Sequence, residues 1–123
     1  MRRRDAGERG AVTAELALGI PLLLALTVGL VWMLAVGAAQ VRVIDASREA
    51  ARAVARGDAA EAAEAVALRI APSGARVRIV SSDGQVSVTT SARVAAPGGL
   101  LSAFRGITVS DEATALLEQV AGK

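Results

Sequence analysis

An uninterrupted apolar run dominates the first third of the chain. Glu15 and Arg42 bracket 26 uncharged residues, Leu16–Val41, nearly all of them apolar. As a helix this run is about 39 Å long, which exceeds the ~30 Å hydrocarbon core of a bilayer. A core helix of so small a protein needs one polar side, and this run shows none. The pattern therefore predicts a transmembrane helix over residues 11–41.

The helical pattern continues beyond the apolar run. Small and aliphatic residues recur at three- and four-residue intervals, namely Ile44, Ser47, Ala51, Val54 and Ala55. Three arginines fall four residues apart on another face, Arg48, Arg52 and Arg56. We interpret this arginine row as a solvated face rather than a docking surface. Gly57 has the backbone freedom to end the stem helix, which is predicted over residues 42–56.

A second helix follows the stem. Asp58 and Glu61 have the spacing of a capping box, which predicts a helix over residues 58–71, before Pro72. Spacing places Ala62, Val66 and Ile70 on its predicted apolar face.

From residue 75 the apolar spacing changes to alternation. Two alternating segments flank Ser82-Asp83-Gly84, which predicts a β-hairpin over residues 75–95. Leu100–Phe104 is predicted as a short helical turn or loop. Residues 107–117 suit either a strand or a helix, and we favour a strand because a lone two-stranded hairpin is marginally stable. The predicted fold class is α+β, with one long helix, one short helix and an antiparallel sheet of about three strands.

Charge and composition exclude several functions. The net charge of +2 and the sequence pI of about 10.4 come from the first ten residues, because the remainder has ten basic and ten acidic residues. No basic patch is left for a nucleic-acid partner. The chain has no His and no Cys, so a nucleophile–histidine pair and thiolate or imidazole metal sites are excluded. We expect no enzyme, no cofactor, no metal site and no small-molecule substrate.

The junction before the apolar run carries the functional information. It reads Arg9-Gly10-Ala11-Val12-Thr13-Ala14-Glu15, so a glycine stands before the hydrophobic stretch rather than a small-residue site after it. This junction resembles that of type IV prepilins, with a leader over residues 1–10, cleavage between Gly10 and Ala11, and Glu15 as the acid at position five. The Ser47–Ala53 stretch and the small head are similar to TadE-like minor pilins of Tad (Flp-type) pilus systems.

That resemblance implies a set of partners and a location. A prepilin peptidase removes the leader, and the mature subunit joins other pilin or pseudopilin subunits and the Tad assembly machinery. The arginines before the apolar run place the N-terminus in the cytoplasm and residues 42–123 outside the membrane as an exported head. Glu15 is followed by Leu16 where major Flp pilins have Glu-Tyr, which favours a minor subunit. Pro21, inside the helix, predicts a kink unless neighbouring groups accommodate it.

Glu15 is predicted to set the register of assembly. Cleavage after Gly10 frees a positive amino group at Ala11, and a Glu15 carboxylate from a neighbouring subunit is suited to pair with it. A plain interfacial Glu15 held by lipid headgroups stays open as the alternative. Two other functions also stay open: an uncleaved single-pass protein with a partner-binding head, and a protein released after Val36-Gly37-Ala38-Ala39, which the length of the apolar run disfavours.

Overall fold

The computed structural model describes residues 2–98 and 105–118, without the side chains of residues 2–5. Within these ranges it confirms the α+β fold class. The elements, in chain order, are α1 (Arg2–Ala55), α2 (Ala60–Ile70), β1 (Arg76–Ser82), β2 (Gln85–Val94) and β3 (Ile107–Leu116). The predicted turn or loop at Leu100–Phe104 lies outside the described residues.

Helix α1 runs without a break from the basic N-terminal segment into the head. Its 54 residues correspond to a rod about 81 Å long. The helix ends in a paired backbone closure at Gly57, whose φ is +103°. The N–H of Gly57 donates to the Val54 carbonyl at 2.9 Å, and that of Asp58 donates to the Ala53 carbonyl at 3.0 Å. This is a Schellman closure, which a glycine favours because it adopts positive φ without strain.

The predicted capping box at the start of α2 is wrong. Ala59 is the N-cap residue and no side chain caps the helix. Asp58 takes part instead in the closure of α1, and its carboxylate lies 3.9 Å from the Arg56 guanidinium. Helix α2 begins one residue later than predicted. Asp58 is therefore not its N-cap residue, and the Asp58 carboxylate accepts no hydrogen bond from the backbone of the first turn.

The buried face of α2 also differs from the predicted one. Ala63 and Ala67 are buried, whereas Ala62 is exposed and Val66 and Ile70 are only half-buried. The two buried alanines pack in one cluster with buried alanines of α1, among them Ala50. Since both helices present methyl groups at this contact, the smallest side chains occupy the closest approach and the larger ones flank it.

The three strands form an antiparallel sheet in the order β1-β2-β3. Ser82 pairs with Gln85, so Asp83 and Gly84 form a two-residue turn, and both have positive φ (54° and 75°). Positive φ at both positions is the type I′ geometry that suits the twist of a hairpin. The predicted strand over residues 107–117 is confirmed by β3, which pairs along the whole of β2.

One face of the sheet packs on α1. The central strand supplies its most buried side chains, which are Val86, Val88, Thr90 and Ala92. The facing part of α1 is built from small residues, with Val43, Ala46, Ser47, Ala50, Ala51 and Ala53 buried. Of the predicted stem face, Ser47 and Ala51 are buried, while Ile44, Val54 and Ala55 are half-buried. Alanine and serine leave little side chain between helix and sheet, so the two elements approach closely.

Candidate processing and assembly site

The predicted processing residues lie in the first turns of α1. Gly10 and Ala11 are both helical and exposed, and a side chain added at Gly10 would meet no atom within 4 Å. The Thr13 hydroxyl donates to the Arg9 carbonyl at 2.9 Å, one turn back along the helix. The Gly10–Ala11 bond therefore stands on an open helix surface, and its helical backbone must unwind before any enzyme can cut it.

Glu15 lies one helical turn beyond Ala11 on the same side of α1. Residues four apart are neighbours on a helix surface and are separated by about 6 Å along the axis. The Glu15 side chain is exposed, and among the described side chains no basic group lies within 4.0 Å of it. Within a single chain the carboxylate is thus available to a group from outside.

Pro21 lies within continuous α-helix in this structure. Proline has no N–H, so the carbonyl of Ala17 lacks its usual donor four residues ahead. The predicted kink at Pro21 stays a prediction.

The apolar helix surface beside these residues is uncovered. Large aliphatic side chains from Val12 to Leu34 keep between 42% and 76% of their surface exposed. Ala39 is the first apolar residue of the run to be buried, at 7% exposure. Such an extent of exposed apolar surface is typical of a segment that lies in lipid or against other helices. This helix is long and apolar enough to cross a membrane.

The head contacts the apolar run near its end, which the sequence patterns did not predict. A groove of about 380 Å³ separates the end of β2 from the helix, and its lining is almost entirely apolar. The lining residues are Thr27, Val28, Val31, Trp32 and Ala35 on α1, with Val94, Ala95 and Pro97 on the other side. On one side, residues 27–35 of the run therefore face the head, so this part of the helix is not a free lipid-facing surface on all sides.

Two polar contacts, which sequence reasoning also missed, hold the head at this height on α1. Gln40 donates from Nε2 to the Ser110 carbonyl at 3.2 Å, and the buried Ser47 hydroxyl donates to the Asp111 carbonyl at 3.1 Å. The sequence signal for the second contact was a hydroxyl on the predicted apolar face of the stem, at Ser47.

Comparison with known proteins agrees with the geometry of this segment. Residues 10–52 match the family model described as TadE-like protein, so the match covers the Gly10–Ala11 junction, Glu15 and the apolar run. No curated protein matches the chain, and no solved structure does. The match covers 43 of the 123 residues and shows that this segment is similar to TadE-like proteins.

Proposed function

We propose that the chain is a minor pilin or pseudopilin of a Tad-type pilus. A prepilin peptidase cuts the precursor between Gly10 and Ala11, and the mature subunit then takes part in pilus assembly. One observation carries the proposal: an uncovered apolar helix surface from Val12 to Leu34 that bears a single acid, Glu15, four residues after the cleavage junction. The TadE-like match over the same segment supports it.

We use the position of the head on α1 to propose which residues span the bilayer. Residues 27–35 of α1 face the head across the groove, and Val36 packs against the apolar cluster that joins the head to the helix. We place the outer boundary of the hydrocarbon within the groove, at about residue 31. Counting back the roughly 20 residues that a ~30 Å core requires gives a span over residues 12–31. The arginines before the span keep its N-terminal end in the cytoplasm, and the head lies on the opposite side.

This span moves Glu15 inside the hydrocarbon by about one helical turn. A charged side chain at the centre of a bilayer costs about 2.5–3.5 kcal/mol on insertion scales, and less near the interface. Cleavage frees an amino group at Ala11 that carries a proton at neutral pH. In a bundle of subunits, pairing of Glu15 with the Ala11 amine of a neighbour relieves both charges, whereas a subunit in the wrong register leaves both unpaired.

The cleavage junction is built for local unwinding. A glycine in a helix interior costs about 1 kcal/mol relative to alanine, so Gly10 weakens the turn that the peptidase must open. Gly7 lies one turn earlier and is equally free of neighbouring atoms. Gly7 therefore provides a control for a general effect of glycine on the leader helix.

The N-terminus of the mature protein tests this proposal. The full chain is expressed in a strain that carries the Tad system, purified from membranes, and analysed by intact mass and N-terminal sequencing. We expect a chain that begins at Ala11. Gly10→Val should retain the leader, while Gly7→Val should be cleaved as in the wild type. A wild-type chain that keeps its first ten residues would contradict the proposal.

The second candidate is an uncleaved single-pass protein whose head binds a partner. The helical continuity of α1 across Gly10 and Ala11 favours it, because an intact helix resists proteolysis. Intact mass distinguishes the two functions, since the second predicts a chain that begins at Met1. Release by a cut after Ala39 is disfavoured, because Ala39 is buried in the cluster that joins the head to α1.

A further inference from the structure

The lower edge of the head, where β2 ends and β3 begins, carries a polar cleft close to the apolar groove. The cleft is lined by Arg76, Ser91, Arg93 and Thr108, together with Gly74 and Ala92. Arg76 pairs with Ser91 across β1 and β2, and Arg93 pairs with Thr108 across β2 and β3. Two guanidinium groups and two hydroxyls therefore belong to neighbouring cross-strand pairs of the sheet, and both arginines are exposed.

Local backbone structure positions one of these arginines. Arg93 donates from Nη2 to the carbonyl oxygen of Arg105. Gly106 has a φ of +98°, and a Cβ there would lie 2.7 Å from the Val94 carbonyl oxygen and 3.4 Å from the Arg93 Nε. The turn into β3 thus packs directly against Arg93, and only glycine fits it without displacement.

No acid balances these charges within the described ranges. No carboxylate lies within 4.0 Å of either guanidinium there, and none lines the cleft. Glu112 lies further along β3, opposite Thr89, and accepts a hydrogen bond from the Ser87 hydroxyl. Ser87 lies further from the groove than Ser91 does. The lower edge is therefore cationic, and guanidinium groups are suited to hold phosphate oxygens through paired hydrogen bonds.

The cleft lies at the height of the lipid headgroups if α1 spans the bilayer over residues 12–31. Val94, Ala95 and Pro97 line the groove opposite residues 27–35 of α1, a stretch that includes the boundary placed at residue 31, and Arg93 directly precedes Val94 in the strand. Ser91, the partner of Arg76, lies about 7 Å further along the strand. The headgroup layer is about 5–8 Å thick on each side of the core, so both arginines fall within it or at its outer border.

We propose that this lower edge is a lipid-docking collar that binds an anionic bilayer surface. Its apolar groove rests at the boundary of the acyl chains, and Arg76 and Arg93 bind lipid phosphates beside it. Two observations identify a lipid as the occupant: the groove continues the apolar surface of α1, and the unbalanced charge complements an anionic headgroup. The collar limits how far α1 slides into the membrane and so sets the depth of Glu15. This inference rests on the proposed membrane-spanning role of α1.

The experiment uses the full chain in nanodiscs of phosphatidylcholine, with or without 30% phosphatidylglycerol. Because the chain has no cysteine, Ala95→Cys and Ser82→Cys each provide a single labelling site, at the lower edge and at the hairpin tip. An environment-sensitive fluorophore at each site is quenched by lipids that carry a spin label on the headgroup. A third single-cysteine variant, Leu22→Cys, lies at the middle of the proposed span and reports insertion separately, because its fluorophore is quenched by lipids that carry a spin label in the acyl chains.

We expect strong headgroup quenching at residue 95 and little at residue 82. In discs with phosphatidylglycerol, Arg76→Gln with Arg93→Gln should lower the ratio of docked to undocked heads about fivefold per arginine. Arg78→Gln is the matched control, because Arg78 is an exposed residue on the same strand as Arg76. Arg78 pairs with Thr89, which pairs in turn with the acid Glu112. We expect this substitution to leave the quenching at residue 95 and at residue 82 unchanged.

The two proposals fail differently. Absence of acyl-chain quenching at residue 22 would contradict the spanning role of α1. Acyl-chain quenching at residue 22 without headgroup quenching at residue 95 would overturn the collar and leave the span intact. Quenching at residue 95 that the double substitution leaves unchanged would overturn the phosphate-binding role of the two arginines.

Discussion

Ser47 and Asp111 are 64 residues apart in sequence and are joined by a hydrogen bond from the Ser47 hydroxyl to the Asp111 carbonyl. Ser47 is fully buried on α1, and Asp111 is half-buried on β3, which forms one edge of the sheet. The bond lies between two apolar clusters, one around Val43 and one around Ala50. It therefore marks the height at which the sheet is seated on the helix.

Ser47→Ala should weaken the attachment of the head to α1. The Asp111 carbonyl would lose its donor from the helix, which we expect to cost about 1–2 kcal/mol. Hydrogen–deuterium exchange of the β2 amides, measured on the full chain in detergent micelles, reports this loss. Ser81→Ala, at an exposed position on β1, is the control and should stay within about 0.5 kcal/mol of the wild type. Equal exchange in both variants would contradict the role assigned to Ser47.

Thr90→Val should stabilise the head. Thr90 is fully buried, and its hydroxyl has no hydrogen-bond partner among the described residues. Valine has nearly the same shape and removes the cost of burying that hydroxyl, so we expect a gain of about 1 kcal/mol in the free energy of unfolding. Thr90→Ser, which keeps the hydroxyl and deletes the methyl group, should destabilise the head in the same exchange measurement. A loss of stability in Thr90→Val would show that the hydroxyl is satisfied.

Gly106→Ala should destabilise the lower edge of the head more than Gly74→Ala does. Both glycines have positive φ, 98° and 77°, so alanine at either position carries a backbone cost of about 1–2 kcal/mol. Only at Gly106 does the added Cβ also meet a backbone atom, the Val94 carbonyl oxygen. Exchange of the amides at the β2–β3 end measures the difference, and equal effects of the two substitutions would contradict the clash.

Glu15→Gln should be processed normally and fail in assembly. The amide keeps the shape of the side chain but cannot neutralise an amino group, so we expect subunit association to fall about tenfold, equivalent to about 1.4 kcal/mol. Co-purification of tagged and untagged subunits from membranes measures this association. Thr13→Val is the control, because the Thr13 hydroxyl bonds only within its own helix. Wild-type association in Glu15→Gln would favour a plain interfacial carboxylate at this position.

Local patterns were sufficient to predict the two helices and the β1–β2 hairpin. Asp83-Gly84 between alternating segments predicted the β1–β2 hairpin, because a two-residue turn of this composition determines the pairing register. The residues of β3 were compatible with a helix as well. They form a strand because the open edge of β2 offers ten backbone partners, and these partners lie 13 to 31 positions away in the sequence.

Alanine-rich helices explain where sequence reasoning failed. On α2, Ala62 and Ala63 have identical side chains, so apolar spacing did not distinguish the buried one from the exposed one. The contact with α1 determines which of the two is buried, because the crossing geometry of the helices places Ala63, and not Ala62, at their closest approach. The capping role predicted for Asp58 was also wrong because of a contact outside α2. The backbone N–H of Asp58 donates to the Ala53 carbonyl in the closure of α1, and α2 begins one residue later than predicted.

The sequence by itself determined the long apolar helix, the acid beside a candidate cleavage junction and the class of fold, since each depends on neighbouring residues. Only the tertiary structure decided how high the head is seated on α1. That height depends on contacts such as Gln40 with Ser110, which join residues 70 positions apart. Because the head faces one side of the outer part of the apolar run, the height of the head bears on which residues are left to span a bilayer and on how deep Glu15 lies.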